Sequence, residues 1–189
     1  MKKNKRIILV ICFIPLIFIL GVFSYLKLGG YFLINKADRK HIINEIENAP
    51  ELPKHFYEIY SVMYPQSLEI NSWRHTLNRE LNSSYSLCPC RETAFENFYG
   101  LFVDATDMML ITSMLENSVT QIECLNFYIN SQEKKAESLL DKEIENMNNE
   151  EIVELLLALE NPSFYNKKRH PERVQNKVNE IINKLNNTP

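Results

Sequence analysis

LFVDATDMMLITSMLE, residues 101–116, is the stretch whose reading decides the class of this fold. Its Leu, Phe, Met, Ile and Val residues fall all round a helical circumference rather than on one stripe. A helix of that kind is normally buried inside a domain. With Asp104 and Asp107 in it and only about fifteen residues to offer, it is a poor membrane span. Toward the C-terminus, Thr120-Gln121-Ile122-Glu123 is a capping box that opens a helix over 121–130. Residues 132–146 read as a charged, amphipathic helix, and the charge run 133–145 as its solvated face with i, i+4 pairs. Asn148 or Asn149 caps a helix over 150–160, and Pro162 lies just past its end. Pro171 suits the first position of a helix over 172–185, with Val174, Val178, Ile181, Ile182 and Leu185 on one side. Toward the N-terminus, helical spacing recurs over 37–48, 52–64, 70–81 and 91–99, separated by Pro50, Pro65 and the turn-rich loop 82–90. No alternation of β type occurs at any length. The expected class is all-α, about nine helices in one domain, with no internal repeat.

Composition narrows the function. A chain of 189 residues leaves little room for two domains. An apolar share of 45% excludes a disordered chain. The net charge is −3, and four of the 21 cations (Lys2, Lys3, Lys5, Arg6) crowd the first six residues, leaving 17 cations against 24 acids. That balance disfavours nucleic acid as a partner, because binding there rests on a basic field. The four glycines are Gly21, Gly29, Gly30 and Gly100. Neither a Walker A loop nor a dinucleotide-binding fingerprint can be assembled from them.

Residues 7–26, IILVICFIPLIFILGVFSYL, carry no charge. At about 1.5 Å per residue they match a hydrocarbon core of about 30 Å. The run is too long for the apolar region of a cleaved signal peptide, and Phe23, Tyr25 and Leu28 occupy places where small residues would be wanted. The expected layout is a cytoplasmic basic tail over 1–6, a transmembrane signal-anchor over 7–26, a linker over 27–36 and an extracytoplasmic helical domain over 37–189. The lipid bilayer of the plasma membrane is then a partner. Outside the cytoplasm disulfides persist, and the expected bridge joins Cys88 or Cys90 to Cys124. Cys88-Pro89-Cys90 is not a CxxC redox motif, and His41, His55, His75 and His170 are scattered. Nothing here implies a metal or a cofactor.

The C-terminal half carries a family resemblance. Residues 115–130, LENSVTQIECLNFYIN, are followed by EEIVELLLALE at 150–160, by Pro162-Ser163-Phe164-Tyr165-Asn166, and by Arg169-His170-Pro171-Glu172-Arg173. In this order and spacing they resemble the glycosyltransferase family 51 module, the transglycosylase of class A penicillin-binding proteins. Glu116, Tyr128, Asn130, Pro162, Ser163, Tyr165, Asn166, Arg169, Pro171, Glu172 and Arg173 are the positions that match, over about residues 108–185. The resemblance implies a lysozyme-like helical domain and a place in peptidoglycan synthesis. Lipid-linked precursor, glycan chains or other cell-wall synthesis proteins are the implied partners. Taken residue by residue, these positions also read as fold-defining: a proline helix start, an acid in a first turn, an arginine returning to a carboxylate or helix end, a packed tyrosine.

The family transfers glycan with one glutamate as general base and a second near the leaving diphosphate. In the register set by Leu115, the second glutamate falls on Met108. In the register set by Leu52-Pro53, the first falls on Tyr64. A thioether cannot organise cations, and a phenol of ordinary pKa near 10 is a poor base at neutral pH. The family's Gly-Gly-Ser-Thr segment has no counterpart, since no glycine lies between Gly30 and Gly100. Glu69 and Glu58 are the acids best placed to substitute, with Glu92, Glu96, Asp104 and Asp107 also in the region. The resemblance therefore implies a degenerate domain that binds without chemistry. The alternatives are an active peptidoglycan glycosyltransferase with relocated acids and an anchored helical scaffold unrelated to the cell wall.

Overall fold

A computed structural model describes the backbone of residues 2–77, 88–98, 100 and 104–187, and their side chains apart from 2–12 and 75–77. Among the described residues the regular structure is entirely helical: α1 (Lys2–Leu28), α2 (Gly30–Leu33), α3 (Lys36–Glu47), α4 (Lys54–Met63), α5 (Ser72–Leu77), α6 (Pro89–Phe98), α7 (Ala105–Glu116), α8 (Gln121–Ser131), α9 (Glu133–Leu140), a 3-10 turn at Ile144–Asn146, α10 (Asn149–Glu160) and α11 (Pro171–Asn186). The all-α reading holds.

Helix boundaries follow local chemistry. Thr120 and Glu123 exchange both capping-box bonds at the start of α8, and Asn148 and Glu151 do the same for α10. Pro171 opens α11. Two boundaries differ from expectation. The helix expected over 132–146 stops at Leu140, because Asp141 turns into the left-handed region at φ 55°. Pro89 and Cys90, expected in a loop, form the first turn of α6, where a proline loses no hydrogen bond. The helix expected over 70–81 is described only as Ser72–Leu77. Residues 78–81, loop residues 82–87 and residues 101–103 lie outside the described residues.

Two apolar cores share α8. One gathers Phe56, Ile59 and Tyr60 of α4, Leu125 and Ile129 of α8, the apolar side of α10, and Val174, Val178 and Ile181 of α11. The other gathers Ile42 and Ile46 of α3, Ala94 of α6, and Ile111, Met114 and Leu115 of α7. Leu110 through Leu115 are six consecutive buried residues, so α7 is enclosed on every side, as its circumference requires. Thr112 satisfies its buried hydroxyl on the Met108 carbonyl at 2.7 Å.

Residues 27–36, expected as a linker, are instead part of the packed fold. Gly29 keeps helical backbone angles (φ −56°, ψ −39°) between α1 and α2, and the Phe32 N–H donates to the Gly29 carbonyl at 2.9 Å. Gly29 and Gly30 lie against α7. A Cβ on Gly30 would stand 2.3 Å from the Leu110 carbonyl oxygen and 2.8 Å from the Met114 Cβ. The Asn117 side-chain amide donates to the Lys27 carbonyl at 3.2 Å, and the Tyr31 and Ser118 hydroxyls meet at 3.4 Å. Adjacent glycines read in sequence as a break, but here they permit contact between helix backbones. Among the described residues no helix is long and apolar enough to cross a membrane; the side chains of α1 are described from Phe13 onward.

Cys90 and Cys124 form a disulfide between α6 and α8, with Cα atoms 5.0 Å apart, one of the two pairings expected. Cys88 remains a buried thiol, and burial pushes its pKa up to about 12.

Two outcomes follow from this packing. Gly30→Ala should destabilise the protein by about 1–3 kcal/mol, the usual range for overpacking, because backbone cannot yield as a side chain can. Gly21→Ala, with nothing within 4 Å, should be neutral in the same urea titration in detergent. The bridge closes a loop of sequence separation 34, and Cys90→Ala with Cys124→Ala should lower stability by about 3–4 kcal/mol. Peptide mapping without reductant should recover the Cys90–Cys124 pair, with Cys88 unlabelled by maleimide until the protein unfolds.

Candidate functional site

The two positions where the resemblance puts catalytic glutamates fall in different cores. Tyr64, at the end of α4, is buried in the core built on α10. Its hydroxyl donates to Glu160 Oε2 at 3.0 Å. Burial and the nearby Glu160 carboxylate both raise the phenol's pKa further. Met108 lies in the first half of α7 and packs against the other core. Neither group can take a proton at neutral pH. Glu58 and Glu69 are exposed, and Glu58 faces Lys54 at 3.8 Å.

The most constrained carboxylate is Glu116, the last residue of α7. The Ser72 N–H donates to its Oε1 at 2.6 Å and the Ser72 hydroxyl to its Oε2 at 3.0 Å. Gln121 Nε2 donates to Oε1 at 2.8 Å, and the Cys88 thiol approaches the same oxygen at 3.7 Å. Gln121 in turn accepts from the Cys90 N–H at 3.0 Å. The cluster therefore ties α5, α7, α8 and the start of α6 together. Among the described residues no cation pairs with Glu116. Burial raises its carboxyl above the ordinary value near 4.5, and the Ser72 and Gln121 hydrogen bonds offset part of that rise. Every oxygen is already occupied by protein, which is the arrangement of a structural clasp rather than of a base awaiting substrate.

A second pair of acids, Glu92 and Glu96, stands one turn apart on α6. Burial raises the Glu92 carboxyl, opposed by Arg91 and reinforced by Glu96. Both acids raise the pKa of Tyr128, itself mainly shifted by burial. Glu96 accepts from the Ser131 hydroxyl at 3.1 Å and from Gln132 Nε2 at 2.5 Å.

Most of the remaining positions of the resemblance have structural partners. Asn130 Nδ2 donates to the Pro50 and Asn126 carbonyls, each at 2.8 Å. Asn166 Oδ1 accepts from the Arg169 N–H at 3.1 Å, and the Asn166 carbonyl from the His170 N–H at 2.8 Å. Pro171 and Glu172 begin α11. Arg173 returns to a turn, not to a carboxylate: Nη1 donates to the Phe164 carbonyl at 3.2 Å and the guanidinium lies 4.1 Å from that ring's centre. Ser163 is exposed. Tyr165 packs against the α10 core, edge-on to Phe164 at 4.9 Å. Pro162, Tyr165 and Asn166 line a cavity of about 390 Å³ whose floor is Leu140, Leu155 and Ala158. Exposed Lys135 and Lys168 also line it, and Lys167 there is bound to Glu154 at 2.7 Å.

The motif reading singled out Glu116 but not its partners. Ser72 lay inside the helix expected over 70–81 and Gln121 inside a capping box, with no signal of a shared site, since their meeting with Glu116 depends on how three helices cross. Among the described residues no group of three or more His, Cys, Asp or Glu could hold a metal ion. No protein-family model, curated protein or solved structure matches the chain.

A pH test follows from the Glu116 clasp. Because its folded pKa is raised, its contribution to stability is complete below the unfolded value near 4.5 and is lost as pH rises through the folded pKa. Glu116→Gln removes that dependence. The stability of the parent relative to the variant should therefore decline as pH is raised from 4.5 to 7, measured by urea unfolding at each pH. A difference that stays constant or grows with pH would contradict a raised carboxyl.

Proposed function

We propose that this chain is a membrane-anchored, extracytoplasmic, lysozyme-like helical domain related to family 51 glycosyltransferases. In this reading it serves cell-wall synthesis by binding glycan, lipid-linked precursor or a partner protein, without transferring glycan. The observation that carries the loss of chemistry is the pair of motif positions. Tyr64 is a buried phenol donating to Glu160, and Met108 is a thioether packed in a different core. The anchor is supported by α1, whose large apolar residues from Phe13 to Leu28 include many more than half exposed, a surface that water would not tolerate at that density. An oxidising compartment is supported by the Cys90–Cys124 bridge. The single-pass topology, with the N-terminus in the cytoplasm, rests on the cations at 2, 3, 5 and 6.

A second reading, an active transferase with relocated acids, draws on Glu92, a carboxyl raised by burial one turn from Glu96. That is the property wanted of a general acid.

The full chain in detergent should form no polymer from lipid-linked disaccharide. The loss of a positioned base alone removes about 10²–10⁴-fold in rate. Binding of the same precursor, followed by equilibrium dialysis, should persist. Polymer made by the parent and abolished by Glu92→Gln, Glu69→Gln or Glu58→Gln would instead establish relocated acids. Neither binding nor polymer would leave a scaffold outside cell-wall synthesis. External protease should digest the domain in intact spheroplasts.

A further inference from the structure

The apolar face of α1 does not end where the uncharged run ends. Ile14, Phe18, Val22, Tyr25, Leu28 and Phe32 follow at intervals of three or four residues, which is one side of a helix, and all six are exposed. The side stays continuous between Leu28 and Phe32 because Gly29 keeps helical angles and accepts the Phe32 N–H bond. Phe32 is 86% exposed, the highest value of any large apolar side chain described. The opposite side of the same stretch is closed by the domain: Gly29 and Gly30 are buried against Leu110 and Met114. The helix thus has one face against its own domain and one face open over the same residues.

We infer that Leu28 and Phe32 extend the lipid-contacting face of α1 beyond the hydrocarbon core, into the headgroup layer of the bilayer alongside the domain. This rests on the anchor reading above. If residues 7–26 fill a core of about 30 Å, Phe32 lies about 9 Å further along the axis, at about 1.5 Å per residue. The usual tilt of about 20° lowers it to within the headgroup layer, where aromatic side chains concentrate. Lipid fits this face better than a second copy of the helix does. Membrane helices meet through small residues spaced four apart; Gly21 on this side has Ile17 and Tyr25 at that spacing, and Gly29 and Gly30 are already used on α7. Because those glycines fix α1 to α7, the domain is held against the bilayer in a set orientation instead of swinging on a tether.

The experiment uses the full chain in phosphatidylcholine vesicles with Trp73→Phe, so that a single tryptophan reports position. Phe32→Trp and, separately, Leu28→Trp should be quenched at least about twofold by phospholipid brominated near the headgroup end of its chains, as expected for an interfacial aromatic. Both should be shielded from aqueous acrylamide. Val22→Trp, on the same face within the span, monitors the anchor. Quenching of Val22→Trp by brominated lipid, with the Phe32→Trp and Leu28→Trp reporters open to acrylamide and unaffected by lipid, would overturn the inference and leave the anchor standing. Failure of Val22→Trp to be quenched would overturn both. Lipid-insensitive Phe32→Trp and Leu28→Trp reporters that become shielded only as protein concentration rises would overturn it too, and would assign the face to a second copy.

Discussion

Gly29 and Gly30 place the backbone of one helix directly on another. With no Cβ at either residue, the junction of α1 and α2 settles on Leu110 and Met114 of α7, where any side chain on Gly30 would meet the Leu110 carbonyl. The rest of the N-terminal half depends on this approach. It closes one side of α7, whose apolar circumference needs cover in every direction, and it brings Asn117 and Ser118 at the end of α7 to Lys27 and Tyr31. Arg39 of α3 extends the joint, donating to the Tyr31 carbonyl at 3.1 Å and lying over its ring.

From α7 the constraint passes to α8 through Glu116, and the disulfide ties α8 to α6. Glu116 holds Ser72 and Gln121, Gln121 holds the Cys90 N–H, and Cys90 is bonded to Cys124. Four helices, α5 to α8, are therefore linked by one carboxylate, the Gln121 amide and one covalent bond. The polar part is costly to bury, as the raised Glu116 carboxyl indicates. Its hydrogen bonds make removal of any partner more costly still, because the others would be left unsatisfied. α8 then hands the framework to the second core through Leu125 and Ile129.

The same framework bears on function. Tyr64 belongs to one core and Met108 packs against the other, so the two positions that the resemblance would have cooperate are built into different cores. The C-terminal positions that carry the sequence resemblance are spent on turns and helix packing: Asn166 on the His170 and Arg169 N–H groups, Arg173 on the Phe164 carbonyl, Asn130 on Pro50. A chain that keeps such bonds keeps a helical framework whether or not chemistry takes place on it.

Local signals in the sequence determined most of the helices. A capping box at Thr120, an asparagine cap at 148 or 149, a proline at 171 and a mostly apolar circumference over 101–116 are properties of neighbouring residues, and each acts within about a turn or two of where it is read. The pairing of Cys124 with either Cys88 or Cys90 was legible for the same reason: few candidates existed. Tertiary structure decided what depends on residues far apart in the chain. It chose Cys90 over Cys88, setting the Cys90 Cα in the first turn of α6 at 5.0 Å from that of Cys124. It turned Gly29-Gly30 from an apparent linker into a helix contact, because the value of a missing Cβ lies in the neighbour it admits. It assembled the Glu116 clasp from Ser72, Cys88 and Gln121, up to 44 residues away, where no spacing rule applies and only the crossing of helices brings donors to a carboxylate.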